Sequence, residues 1–421
     1  MQITNKKKIV VIGGGFAGIQ LVRRLDQNLF DVLLIDKINH HQFQPLFYQV
    51  ATSQIEPSSI SFPLRNIFKD YENVQIRLTD VLKIEEERNT VITTIGEFNY
   101  DYLVVAIGCK TNFFGNENIE KNSFTLKTTF DAITIRNHIL QTFEKIISAS
   151  DKEKESLFNI VIVGAGPTGV ELAGSFAEIK NKILPKDYHK VDFKNLNIYL
   201  IEGSKNTLNN MSESSKIESN NYLSAMGVII ITETFVKDYD GETLVLSNNS
   251  TISSKTVIWS AGVIGNKIEG LSNDKITVGN RIKVDRTNKI VESKNIFAIG
   301  DIAYMTTPKY PKGHPQVANV AINQAKLLSK NLKKIVLNKS TCEYEYKDLG
   351  SMATIGKNKA VVDLPYLHFK GYFAWLIWMF LHLMLVLSVK NKLIIFINWA
   401  WNYITKDTSL GLIFTYEKTK K

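Results

Sequence analysis

Two glycine clusters with the same spacing carry the first chemical signal. Gly13, Gly15 and Gly18 follow the apolar run 9–12, and Gly164, Gly166 and Gly169 follow the apolar run 160–163. Each G-x-G-x-x-G stands between a strand-like run and a helical pattern. Such a turn lets a pyrophosphate approach the backbone, its charge facing the N–H groups that open the helix. One copy is only suggestive, but two in one chain imply two dinucleotides. An acid ends the second strand of each half: Asp36, followed by Lys37, in the first, and Glu202 in the second. A carboxylate there accepts hydrogen bonds from ribose hydroxyls and repels a 2′-phosphate. The second half is therefore expected to take NADH over NADPH, an inference that Lys205 slightly weakens.

Glu171 lies two residues past Gly169 and reads as part of the helix's first turn. An acid beside a pyrophosphate is unfavourable there, which favours a catalytic place near the redox rings over a plain helix-start acid. Small residues end three buried runs: Ala106 and Gly108, Ala261 and Gly262, and Gly300 before Asp301. They allow a flat ring close to the backbone. His40 and His41 are adjacent with no third ligand nearby, so no metal site is expected. Cys109 and Cys342 form no C-x-x-C, which argues against a disulfide framework and for a reducing compartment.

The 421 residues, 44% hydrophobic and 22% charged, suffice for two or three globular domains. Strand patterns fall at 9–12, 31–36, 74–78, 91–95, 102–108, 160–163 and 196–201. Helical patterns fall near 17–25 and 131–147, and 152–155 reads as an exposed charged connection. The expected fold is α/β, with two Rossmann-like nucleotide-binding domains and a C-terminal helical membrane-binding region. The short strand ending in Gly300-Asp301 resembles the second flavin-binding signature of two-domain FAD oxidoreductases, which assigns 1–115 and 290–335 to FAD, 116–289 to NADH, and 336–421 to the C-terminal region. The net charge of +10 favours an anionic surface, and no Arg-rich tract or zinc spacing supports nucleic acid. Residues 371–389 are 19 uncharged, mostly apolar residues flanked by Lys370, Lys390 and Lys392. A second apolar run covers 393–404. Four of the five tryptophans lie at 375–401, as interfacial anchors do. The run meets the length for a membrane span, but two helices lying in one leaflet or a homodimer interface are the other readings.

These features together resemble the type II NADH dehydrogenases, single-subunit NADH:quinone oxidoreductases that do not pump protons. The carriers are 13–18, 39–52, 164–174, 259–263, 296–303, 317–326 and 349–356, and 39–52 is the most specific. The resemblance implies that Asp301 and Ala318 contact FAD, that the helix expected from His314 points at the flavin, and that Glu171 helps with protonation or organises the quinone-side network. It also implies that Gln49 and Lys370 line the quinone side. The family pattern A-Q-x-A-x-Q appears as Ala318-Asn-Val-Ala-Ile-Asn, so Asn319 and Asn323 replace both quinone-site glutamines. An amide one methylene shorter can still bond a quinone carbonyl. A membrane quinone and an anionic lipid surface are the implied partners, with the protein monotopic on the cytoplasmic face of the inner (cell) membrane.

The rivals are a sulfide:quinone oxidoreductase, which needs a redox-active cysteine pair, and an NADH-binding flavoprotein sensor. The donor inference is open to direct measurement. Wild type is expected to use NADH far better than NADPH, and Glu202→Gln to narrow the gap by relieving repulsion of the 2′-phosphate. Equal wild-type kcat/KM for the two donors would contradict it.

Overall fold

The computed structural model describes residues 6–405 and 411–413; of the C-terminal region expected at 336–421, residues 406–410 and 414–421 lie outside the described residues. The chain divides into two compact units. The first gathers the chain up to Gln42 with Phe62–Lys110 and Val263–Lys347, and the second gathers Phe43–Ser61, Thr111–Gly262 and the chain from Asp348.

The first unit is built on a five-stranded parallel sheet, in the order Ile296–Ala298, Tyr102–Val105, Lys7–Ile12, Phe30–Asp36, Val74–Leu78. Its central residues Val10, Val11, Leu34, Val104 and Ala298 are fully buried, which is why these segments read as continuous apolar runs. Phe16–Val22 forms the helix after the glycine turn, and Ala318–Val336 packs beside it. The latter begins at Ala318 rather than His314. A Pro at 315 disfavours the α conformation for the residue before it.

The second unit repeats the plan with four parallel strands: Val228–Ile231, Asn197–Ile201, Asn159–Val163, Thr256–Trp259. Residues 152–155 are not an open connection but lie in the helix Asp151–Leu157, opened by a capping box of Ser150 and Glu153. The helix Pro167–Glu178 follows the second glycine turn and leads into one π turn, Ile179–Ile183. Pro185 lies just beyond, and its missing N–H and ring favour such a break in the regular ladder.

A three-stranded antiparallel sheet, Ser351–Gly356, Lys359–Asp363 and His368–Lys370, lies on that helix. A Cβ at Gly174 would collide with the Ile355 carbonyl, so glycine there permits the contact. Asp363 accepts from Ser212 N–H (2.6 Å), Ser212 Oγ (2.8 Å) and Ser215 Oγ (2.7 Å), tying the sheet to the helix Glu213–Ala225.

The apolar C-terminal runs form two helices, Gly371–Leu385 and Val389–Thr405. The first has 15 residues, about 22 Å at 1.5 Å per residue, short of a bilayer core of about 30 Å. Among the described residues no helix is long and apolar enough to cross a membrane, so the single-span reading of 371–389 is corrected. The chain leaves the helix at Val386, which is buried. Ala374, Trp378, Ile395 and Trp399 face inward, whereas Phe373, Phe380, Phe396, Ile397 and Trp401 are each more than half exposed. Asn391 Nδ2 donates to the Ser58 and Ser59 carbonyls (3.0 and 2.9 Å), and Asn402 Nδ2 to the Gln54 carbonyl (3.0 Å).

Candidate functional site

Each unit closes its glycine turn in the same way. Gly13 and Gly164 have φ of +107° and +99°, and a Cβ on either would collide with the neighbouring strand end, at Ala106 or Ala261. A Cβ on Gly18 or Gly169 would collide with the carbonyl of Gly13 or Gly164. Gly15 and Gly166 instead face open space, where a Cβ would meet nothing within 4 Å, and both cap the helix that follows. That open cradle, bordered by backbone, fits a pyrophosphate in both units.

The paired acids sit where the spacing placed them. Asp36 Oδ2 accepts from Gly14 N–H (2.5 Å) and Oδ1 from Ile38 N–H (2.9 Å), with exposed Lys37 beside it. Glu202 Oε2 accepts from Ala165 N–H (2.7 Å), and Oε1 from Ser204 N–H and Oγ (2.8 Å each). Ser260 Oγ donates to the Val163 and Gly164 carbonyls (2.8 and 3.0 Å), fixing the strand end that leads to Ala261 and Gly262.

In the first unit, Gly108 leads to Cys109, whose thiol donates to Asp301 Oδ2 (3.2 Å). Arg281 Nε holds the Asp301 carbonyl (3.0 Å), and Gln324 Oε1 accepts Gly300 N–H (2.8 Å). Ala318 opens its helix, and one turn apart on it Asn323 Nδ2 donates to Asn319 Oδ1 (2.7 Å). Cys109 and Cys342 form no disulfide. Among the described residues no cluster of His, Cys, Asp or Glu could hold a metal ion.

Glu171 is the fifth residue of its helix, so it lies in the second turn rather than the first. There it leaves the glycine turn and enters an apolar wall. Burial lifts its carboxyl well above the usual range, opposed by the Thr354 N–H and the Trp378 side chain. Burial and the nearby Glu171 also raise the Tyr48 phenol. Beside them lies a cavity of about 600 Å³. Gln49, Ser175, Glu178, Thr354, Trp378 and Trp399 are among its lining, and its mouth reaches Lys182, Lys357 and Tyr403. Gln49 is buried, donating from Nε2 to Tyr48 Oη and accepting Trp399 Nε1–H at Oε1 (2.8 Å each). Trp378 stacks on His382 at 4.0 Å and meets Tyr48 edge-on at 6.2 Å. Burial holds His382 down to about 4, hence neutral, with Nδ1–H donated to the Trp378 carbonyl (2.8 Å). Lys370, at the N-cap of the first C-terminal helix, pairs with Glu218 at 3.0 Å.

The sequence reading brought in Gln49 and Glu171 but missed Tyr48, Thr354, Trp378 and Trp399. A signal existed for one: Trp375, Trp378 and His382 recur at helical spacing inside an apolar run.

Two glycine-turn cradles of the same design, with the two cysteines unpaired, define the class as a two-nucleotide reductase. The family described as Pyridine nucleotide-disulphide oxidoreductase matches residues 7–325, and that described as NDH2 C-terminal domain matches residues 349–406. A Type II NADH:quinone oxidoreductase of Mycobacterium tuberculosis is 30% identical over 96% of this chain and 89% of its own length. NDH2 from Plasmodium falciparum, solved with NADH, superposes with a TM-score of 0.88 at 24% identity, covering 95% of this chain and 99% of that one. A sulfide:quinone oxidoreductase of Aquifex aeolicus shares the fold less closely, with a TM-score of 0.72 at 21% identity over 95% of this chain and 96% of that one. The chain belongs to the type II NADH:quinone oxidoreductase family.

The buried carboxyl generates a pH signature. A Glu171 protonated in the fold but ionised when unfolded stabilises fully below the ordinary carboxyl value of 4.5, and that stability is lost as pH rises toward its folded value. The slope reaches about 1.4 kcal/mol per pH unit where only the folded state holds the proton. Glu171→Gln should abolish this slope, so its Tm relative to wild type should climb between about pH 5 and pH 8. Parallel Tm profiles would show that Glu171 is ionised in the fold.

Proposed function

We propose that this chain oxidises NADH and reduces a membrane quinone, with FAD between them, and that the cavity beside Glu171 is the quinone's path. The observation that carries this is a buried carboxyl, its proton favoured by burial, next to a cavity lined in part by the two C-terminal helices, whose outer face is apolar. The sulfide alternative lacks its thiol pair, since Cys342 is exposed and bonded through its backbone to Asn331.

The Gly13, Gly15 and Gly18 turn would hold the FAD pyrophosphate, and Asp36 its ribose. Asp301, fixed by Arg281 and Cys109, together with Ala106, Gly108 and Ala318, would border the flavin. When bound, FAD supplies a hydride acceptor that can return two electrons to a quinone. The Gly164, Gly166 and Gly169 turn and Glu202 would hold NADH, with Ala261 and Gly262 beside the nicotinamide. Binding here does the positional part of the catalysis. NADH, one solvent proton and a quinone give NAD⁺ and a quinol. Glu171 would hold a proton behind the lining residues Tyr48, Thr354 and Trp378, and its low-dielectric setting favours giving that proton toward a quinone oxygen that gains negative charge. In the first unit the Asn319–Asn323 pair keeps an amide N–H able to donate to a quinone carbonyl, and in the second Lys370 is held by Glu218.

Anaerobic stopped-flow on flavin absorbance separates the two half-reactions. Glu171→Gln should be reduced by NADH at near the wild-type rate and reoxidised by a short-chain quinone at least about tenfold more slowly. Slow reduction with normal reoxidation would move Glu171 to the nicotinamide side.

The exposed apolar face of the C-terminal helices and the lysines around it support monotopic attachment to an anionic membrane, on the cytoplasmic face by family resemblance. Complete removal of these helices would uncover Gln49 and Tyr48, so point changes test the anchor better. Phe380→Asp combined with Phe396→Asp should lose cosedimentation with phosphatidylglycerol vesicles while NADH still reduces the flavin. Undiminished cosedimentation would place the anchor elsewhere.

A further inference from the structure

Phe235 is 66% exposed, an unfavourable place for a phenyl ring, yet its backbone is firmly held. Its N–H donates to Ser247 Oγ (3.1 Å) and its carbonyl accepts Ser247 N–H (2.8 Å). The two residues before it are tied to the acid's own turn: Thr234 N–H donates to the Glu202 carbonyl (3.1 Å) and Glu233 N–H to the Ser204 carbonyl (3.0 Å). Glu233 takes φ +52°, a conformation that non-glycine residues seldom adopt, to make this crossing. The ring lies over Gly203, where a Cβ would collide with its Cε1 and stand 2.8 and 2.9 Å from Cδ1 and Cζ. A glycine directly after the ribose-side acid thus makes room for an exposed aromatic ring whose backbone cannot drift.

We propose that Phe235 is the platform on which the adenine of NADH stacks, and that Gly203 is kept side-chain-free to seat it. The inference rests on the reading that NADH binds this turn. Adenine is bonded to C1′ of the same ribose whose hydroxyls meet Glu202, so it must lie within one sugar's width of that acid. The apolar surface there belongs to Phe235. Base–aromatic stacking adds affinity without reading base edges, which suits a donor recognised through its ribose.

Three ligands test this. Reduced nicotinamide mononucleotide carries the reacting ring without adenine, ADP-ribose carries adenine without the nicotinamide, and NADH carries both. Phe235→Ala should raise KM for NADH and Kd for ADP-ribose, by calorimetry, each about five- to tenfold. Its kcat/KM for reduced nicotinamide mononucleotide should match wild type. Phe235→Trp should retain NADH and ADP-ribose binding, and Gly203→Ala, which displaces the ring, should behave like Phe235→Ala. Equal losses on NADH and on the mononucleotide, or no change on NADH and ADP-ribose, would overturn the proposal. If wild type fails to oxidise NADH, the donor reading falls, while ADP-ribose binding still decides whether Phe235 holds an adenine.

Discussion

A carboxyl group kept out of water sets the terms for the second unit. Glu171 is enclosed because three segments far apart in sequence meet on it: its own helix, the segment Phe43–Ser61 that brings Tyr48 and Gln49, and the C-terminal sheet and helices that bring Thr354, Trp378 and Trp399. Burying an ionised carboxylate is costly, so the enclosure favours the protonated form. The same enclosure requires indoles on the inner face of the C-terminal helices, while the outer face carries Phe373, Phe380 and Phe396. A structure that wets its outer face differently would have to rebuild its inner one. The buried indoles and the exposed phenyl rings are therefore two sides of one pair of helices.

The strands and turns that hold nucleotides were legible because their signals are local. Apolar runs ending in glycine mark a buried parallel strand, and the acid after the second strand follows at a fixed distance in chain. Local signals also account for the corrections. Pro167 at the first helical position starts the helix directly after Gly166, which moves Glu171 into the second turn. Ser150 and Glu153 spell a capping box, so the charged stretch 151–157 is a helix whose polar faces look outward. At the C-terminal end, hydropathy reports that residues 371–389 are apolar but not that the chain turns at 386, because it does not record which way a side chain faces.

The wall around Glu171 was not legible for a different reason. No periodicity within 43–61 states that Gln49 will accept from Trp399, 350 residues away. Nor does 349–356 state that the Thr354 N–H will face a glutamate. Such pairings are fixed only when the helix Pro167–Glu178 lies against the strand Ser351–Gly356, and glycine at position 174 is the sequence trace of that contact. Gln324 shows the same limit: next to Asn323 in sequence, it is fully buried and accepts from Gly300 N–H instead.

The two cradles are alike in design but differ at the residue that bonds the acid. Position 14 in the first turn and position 165 in the second each donate an N–H to the acid at the neighbouring strand end. In the first, a Cβ at Gly14 would stand 3.1 Å from Asp36 Oδ2 and 3.0 Å from a Leu64 methyl, tighter than ordinary contact, so glycine is favoured. In the second, Glu202 accepts from Ala165 N–H at 2.7 Å, and the Ala165 side chain fits, buried. The repeated spacing of glycines is the common constraint, and the residue that bonds the acid fits each cradle to its own neighbours.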